Sequence, residues 1–226
     1  MNLLLVAHGT RKPVGVSMIG ELAERVGDTL QSRVRLAFVG VLGPTPGEVL
    51  SHLPGPVVLV PAFLSSGYHV RHDIPTHIAA SGHPDVTVTR ALGPCPETVR
   101  VLTYRLLESG WRPGDSVVLA AAGTSDPRAR SDLRVTATLL SAPIGARVEL
   151  AYAATGEPRV ADAVSAARRS GARRVVVASY LLADGLFQDR LRASGADLVT
   201  EPLGLHPSTV KMIANRFRRA RLPLPA

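Results

Sequence analysis

Short apolar runs rich in β-branched residues alternate with stretches of helical spacing along the whole 226-residue chain. The runs at 3–7, 34–41, 57–63 and 86–91 read as strands, and four more follow at 117–121, 147–153, 175–180 and 196–200. Between the first two, Ile19, Leu22, Ala23, Val26 and Leu30 recur at the spacing of one helix face. Val210, Ile213, Ala214 and Phe217 do the same near the end. Strands that alternate with helices predict parallel βαβ units with right-handed crossovers. Pro61 sits inside an apolar run and predicts a strand end or bulge, because proline cannot donate to the ladder.

The pattern is written twice. VAHGTRKP at 6–13 matches AAAGTSDP at 120–127, and LAFVGVLGP at 36–44 resembles LAYAATGEP at 150–158, both at an offset of 114. VVLVPAFLSSG at 57–67 matches VVVASYLLADG at 175–185 at an offset of 118, and LGPCPETV at 92–99 matches LGLHPSTV at 203–210 at 111. Four anchors in one order at nearly one offset signal an internal duplication. The expected architecture is α/β, with two similar parallel-sheet domains of βα repeats and a cleft between them. The domains are expected at 1–112 and 113–226, joined near GWRPGD at 110–115. A first-half strand order of 2-1-3-4 would make the first and third strands neighbours.

Composition narrows the partners. Hydrophobic residues make up 46% of the chain, enough for a substantial core, while aromatics at 4% argue against a stacking platform for single-stranded nucleic acid. The single cysteine, Cys95, excludes an internal disulfide framework and suits a reducing compartment. No apolar run approaches the ~20 residues of a membrane span, and the N-terminus lacks a signal-type pattern. A cytoplasmic protein without a membrane partner is the expectation. The formal charge is +8, with 10 basic against 8 acidic residues in 1–112 and 16 against 10 in 113–226. Such an excess steers polyanionic ligands. The arginine-rich KMIANRFRRAR at 211–221 reads as a solvated helix face, since no nucleic-acid motif accompanies it.

The two copies differ in chemistry. His8 directly follows the first apolar run and aligns with Ala122; His69 follows the third and aligns with Phe187. A scaffold that repeats while both imidazoles vanish together points to function rather than packing. In open parallel sheets, ligands bind outside the carboxyl ends of strands where strand order reverses, and both histidines belong there. Neutral imidazoles bind divalent iron, cobalt, nickel and zinc. Two alone leave an open coordination sphere, unlike the closed cage of a structural zinc site. They also accept protons near neutrality. Metal insertion into a tetrapyrrole needs both abilities, because two pyrrole protons leave as the ion enters. His52, His77, His83 and His206 read as structural or exposed, Asp73 as the cap of the following helix, and Cys95 as a small buried residue.

LLLVAHGTRKP at 3–13 resembles the HGSR opening of the sirohydrochlorin chelatases of the CbiX and SirB type. VPAFLSSGYHVRHDIP at 60–75 is similar to that family's VPLFLxxGxHVxxDIP segment, and RALGPCPETV at 90–99 to its xPLGPxP strand end. The resemblance implies a class II, ATP-independent chelatase with no nucleotide cofactor. The implied reaction inserts ferrous iron into sirohydrochlorin to give sirohaem, or cobalt on the way to cobalamin, the divalent ion being a substrate. His8 and His69 occupy the family's metal-binding positions and are the implied catalytic bases. Arg11 and Arg71 are candidate contacts for the eight carboxylates of the tetrapyrrole. Two fused halves make a monomer possible. The chain departs from the pattern at Gly40, near which many relatives carry an acid, and at His72, where the family often has one. His72 reads as solvated, with an extra ligand as its alternative. Competing readings are a non-catalytic metal or tetrapyrrole carrier, and a histidine phosphatase suggested by AHGT. The phosphatase chemistry wants an arginine immediately before the histidine, where this chain has Ala7.

Overall fold

The computed structural model describes residues 1–221 and contains two four-stranded parallel sheets. The first is built from β1 (Asn2–Ala7), β2 (Val34–Phe38), β3 (Val57–Pro61) and β4 (Val86–Val88) in the order β2-β1-β3-β4. The second holds β5 (Ser116–Gly123), β6 (Glu149–Thr155), β7 (Val175–Tyr180) and β8 (Leu198–Val199) in the order β6-β5-β7-β8. The helices are α1 (Pro13–Leu30), α2 (Pro46–Ser51), α3 (Ile74–Ser81), α4 (Pro96–Glu108), α5 (Pro127–Ile144), α6 (Val160–Arg169), α7 (Leu186–Arg192) and α8 (Pro207–Arg221). Among the described residues, no helix is long and apolar enough to cross a membrane.

The near-continuous apolar character of β1 follows from burial on both faces. Leu4 and Val6 join Ala37, Leu50, Leu53, Val57, Leu59 and Ile74 in one cluster. Leu3 and Leu5, also buried, point to the opposite face by the two-residue period of a strand. Val118, Ala120, Ala151, Val160, Val164, Val175, Val177 and Leu191 belong to the corresponding core in the second sheet. Several helices begin on proline, whose fixed φ suits a first turn and whose missing N–H costs nothing there. At α2 this is reinforced by a capping box. The Thr45 backbone and hydroxyl donate to Glu48 at 2.7 and 2.9 Å and hold its carboxyl below the usual range.

The duplication extends to individual backbone bonds. Phe38 N–H donates to Pro44 O at 2.9 Å and Tyr152 N–H to Pro158 O at 3.0 Å. Leu92 N–H donates to Phe63 O at 2.7 Å and Leu203 N–H to Leu181 O at 2.9 Å. The expected eight strands are all present, several of them shorter at the carboxyl end. β3 stops at Pro61, which pairs with Val6 as the last rung.

The chain divides into two compact units, one of Met1–Leu92 with the segment beginning at Leu205, the other of Gly93–Gly204. The sequence halves 1–112 and 113–226 are a different partition, because each half gives its last helix to the other's unit. Helix α8 lies against α1 and β3, burying Val210, Met212, Ile213, Ala214 and Phe217. Helix α4 lies against α5 and β7, burying Thr98, Val99, Val101, Leu102 and Leu106.

Candidate active site

β1 ends at Ala7, so His8 is the first residue beyond the ladder. Gly9 follows at φ +89°, a left-handed conformation that side chains resist, and redirects the chain toward α1. The exit of β2 passes close behind. A Cβ on Gly40 would lie 2.7 Å from the His8 carbonyl oxygen and 3.2 Å from its Cε1. The missing side chain at this position therefore makes room for His8. The His8 Nδ1 lies 3.1 Å from Gly9 O. A carbonyl only accepts, so this nitrogen carries the proton and Nε2 keeps its lone pair.

His69 reaches the same place from β3. The loop after Pro61 leads into a π-helical turn, His69–Asp73, in which the Ile74 N–H bonds to His69 O, five residues back. Such turns are rare and concentrate at functional sites. The His69 Nδ1 lies 2.5 Å from Asp73 Oδ2. Asp73 makes no capping bond to α3, which corrects the expectation drawn from its place before Ile74 and Pro75. Its backbone is helical at φ −66° and ψ −47° rather than extended as a capping residue requires, and the carboxylate turns back to the imidazole.

The two imidazoles meet edge to face, with ring centroids 4.6 Å apart and planes at 75°. Phe63 and Tyr68 flank His69 at 5.9 and 6.2 Å. His8 is exposed and the His69 side chain is 37% exposed, so solvent and solutes reach both. Rings this close can share one cation at Nε2–metal distances of ~2.0–2.1 Å. Among the described residues, no three of His, Cys, Asp and Glu converge as a metal-holding group, so the pair is an open set of donors.

Arg11 is exposed on the turn after Gly9. Arg71 lies within the π turn, half-buried, its Nε donating to Ser66 O at 3.1 Å. His72 stacks on Tyr68 at 4.8 Å between centroids. Three of the remaining histidines serve the backbone. His52 Nδ1 donates to Glu48 O at 2.8 Å, and His83 Nε2 donates to Leu53 O at 3.0 Å. His206 is buried, and its Nδ1 accepts the Ser208 N–H at 3.1 Å. Cys95 is half-buried at the start of α4, its sulfur 3.1 Å from the Thr98 hydroxyl. Sequence reasoning missed the Asp73 pairing and the space Gly40 leaves for His8. The first had a signal in the four-residue spacing of His69 and Asp73, which can share one face of a helical turn.

Fold and site together define a duplicated parallel α/β protein with an open pair of imidazoles at the strand ends of one copy. A family model described as CbiX matches residues 2–109 and again 116–220. The chain belongs to the CbiX family. It is 26% identical over 237 aligned positions to the sirohydrochlorin ferrochelatase of Priestia megaterium, covering 96% of this chain and 89% of that one. A sirohydrochlorin cobaltochelatase of the same organism is 31% identical over 145 positions, covering 60% and 47%. Among solved structures, SirB from Bacillus subtilis with Fe3+ superposes with a TM-score of 0.83 at 21% identity, over 97% of this chain and 96% of that one. A CbiX described as the terminal enzyme of sirohaem biosynthesis in denitrifying bacteria superposes at 0.76 and 24% identity, over 99% and 100%.

Proposed function

We propose that the chain is an ATP-independent sirohydrochlorin chelatase that inserts a divalent metal ion into its tetrapyrrole substrate, with ferrous iron first and cobalt second. The observation that carries this reading is the solvent-open approach of His8 and His69, 4.6 Å between ring centroids, at neighbouring strand ends. The names of relatives across the family support the substrate, since they include both ferrochelatases and cobaltochelatases.

In the proposed reaction His8 and His69 hold the incoming cation through Nε2 and release it to the macrocycle. Two neutral imidazoles grip an ion less firmly than a closed cage, which suits a metal that must be handed on. As the ion enters, two pyrrole protons leave, and an imidazole whose Nε2 has released the ion can take one up. Arg11 and Arg71 are assigned to substrate carboxylates, with the net charge of +8 favouring approach of a polyanion. Residues 1–112 carry the reacting histidines and 113–226 the degenerate repeat. The reading includes a cytoplasmic location and neither a nucleotide nor a nucleic-acid or membrane partner, and it allows a monomer.

An anaerobic assay with sirohydrochlorin in large excess over protein tests it, with ferrous and cobaltous ions in parallel. Many turnovers per chain, followed as a metal-dependent change in the absorption spectrum, are expected. Conversion of one equivalent per chain would make the protein a carrier instead.

A further inference from the structure

The two imidazoles have different acceptors behind them. His8 donates its Nδ1 proton to a neutral carbonyl, Gly9 O, at 3.1 Å. His69 faces a carboxylate, Asp73 Oδ2, at 2.5 Å. A carboxylate behind a ligating imidazole fixes the tautomer and ring orientation and makes the opposite nitrogen a better donor than a carbonyl does. The wide turn of the π segment returns residue 73 to residue 69, and the rings of Phe63 and Tyr68 lie 5.9 and 6.2 Å from that of His69.

The second copy supplies an independent observation. At the offset of 118 that aligns the third strands, His69 corresponds to Phe187 and Asp73 to Leu191, which is fully buried in the core. Histidine and acid disappear together, and the π turn with them, since α7 is an ordinary α-helix over Leu186–Arg192. A carboxylate kept for the start of a helix would have no reason to follow the imidazole.

We infer that Asp73 is a positioning residue for His69, and that it makes the two histidines unequal: His69 anchors the metal ion and His8 is the weaker, releasing ligand. The inference rests on the reading of His8 and His69 as metal ligands. It adds an order to the hand-over, with the His8 contact broken first.

The test is a titration of the full-length protein with cobaltous ion alone, without tetrapyrrole, for wild type, His8→Ala, His69→Ala, Asp73→Ala and Asp73→Asn. It is paired with 15N NMR of the imidazoles before metal is added. Asp73→Ala is expected to weaken cobalt binding about 10- to 100-fold. It should also move the His69 nitrogens from a single Nδ1–H tautomer to a mixture. Asp73→Asn, whose side-chain oxygen accepts the same bond without the charge, should recover the tautomer but only part of the affinity. His69→Ala should lose more affinity than His8→Ala. If His69→Ala binds poorly while Asp73→Ala matches wild type in affinity and tautomer, the positioning role is refuted and the metal site stands. Equal losses in Asp73→Ala and Asp73→Asn, with His69 still a single tautomer, also refute it. If both histidine variants bind cobalt like wild type, the metal reading itself fails.

Discussion

The first strand of each copy ends in the same turn, yet only one copy places an imidazole there. Gly9 at φ +89° and Gly123 at φ +108° both take a left-handed conformation, and a side chain on Gly123 would run into the Thr155 backbone. The residue before the turn is His8 in one copy and Ala122 in the other. At the third strand the divergence is larger. The first copy makes a π turn and leaves His69 open to solvent. The second replaces it with α7, tied down by Gln188, which accepts from the Ser179 hydroxyl at 2.7 Å and donates to Thr200 O at 2.9 Å. All three residues are fully buried. Relieved of the histidines, the same scaffold closes its strand ends with internal hydrogen bonds. The difference separates what both copies share, the glycine turns and strand order, from what only one copy has, the imidazoles and the acid behind one of them.

The largest effect expected from breaking this contrast is on the histidines. His8→Ala and His69→Ala should each lower the insertion rate by more than about 100-fold. Their thermal transitions should stay close to wild type, since both side chains are accessible. The reciprocal pair Ala122→His with Phe187→His should add no activity, because that copy lacks the π turn and has Leu191 in place of an acid. Rates and melting curves on the same preparations decide. Retained turnover with a collapsed transition would make the imidazoles packing residues. Next in size is Gln188→Ala, which strips partners from the Ser179 hydroxyl and the Thr200 carbonyl. A destabilisation of about 1–3 kcal/mol is expected in urea unfolding, with cobalt affinity unchanged. The smallest effect is a gain. Gly20, inside α1 with open space around its missing Cβ, stands where the second copy has Arg134. Gly20→Ala should stabilise by about 0.5–1 kcal/mol without altering turnover.

Much of this arrangement was legible in the chain. The eight strands followed from run lengths and turn residues, which are local signals, whereas the order β2-β1-β3-β4 was a supposition that the structure supplies. The meeting of His8 and His69 followed from the rule that places ligands at the carboxyl ends of neighbouring strands. Asp73 was misread because HDIP looks the same whether its carboxylate caps a helix or turns back to an imidazole. The choice depends on whether residue 73 is extended or helical, and four letters do not encode that. At Gly40 the sequence showed a missing acid, whereas the cause is steric: the His8 carbonyl occupies the space a Cβ would take. Spacing located α8 and the face it buries, but an amphipathic helix carries no label for the sheet it will cover.

That last point bears on attempts to trim the protein. The half without the imidazoles looks dispensable, but α8, which it encodes, walls in β3 and α1 of the unit that holds His8 and His69. A truncation after residue 112 would strip that wall away and leave α4 with its apolar stripe but without its partners α5 and β7. The repeat without the imidazoles is therefore no appendage; it remains a structural creditor of the other.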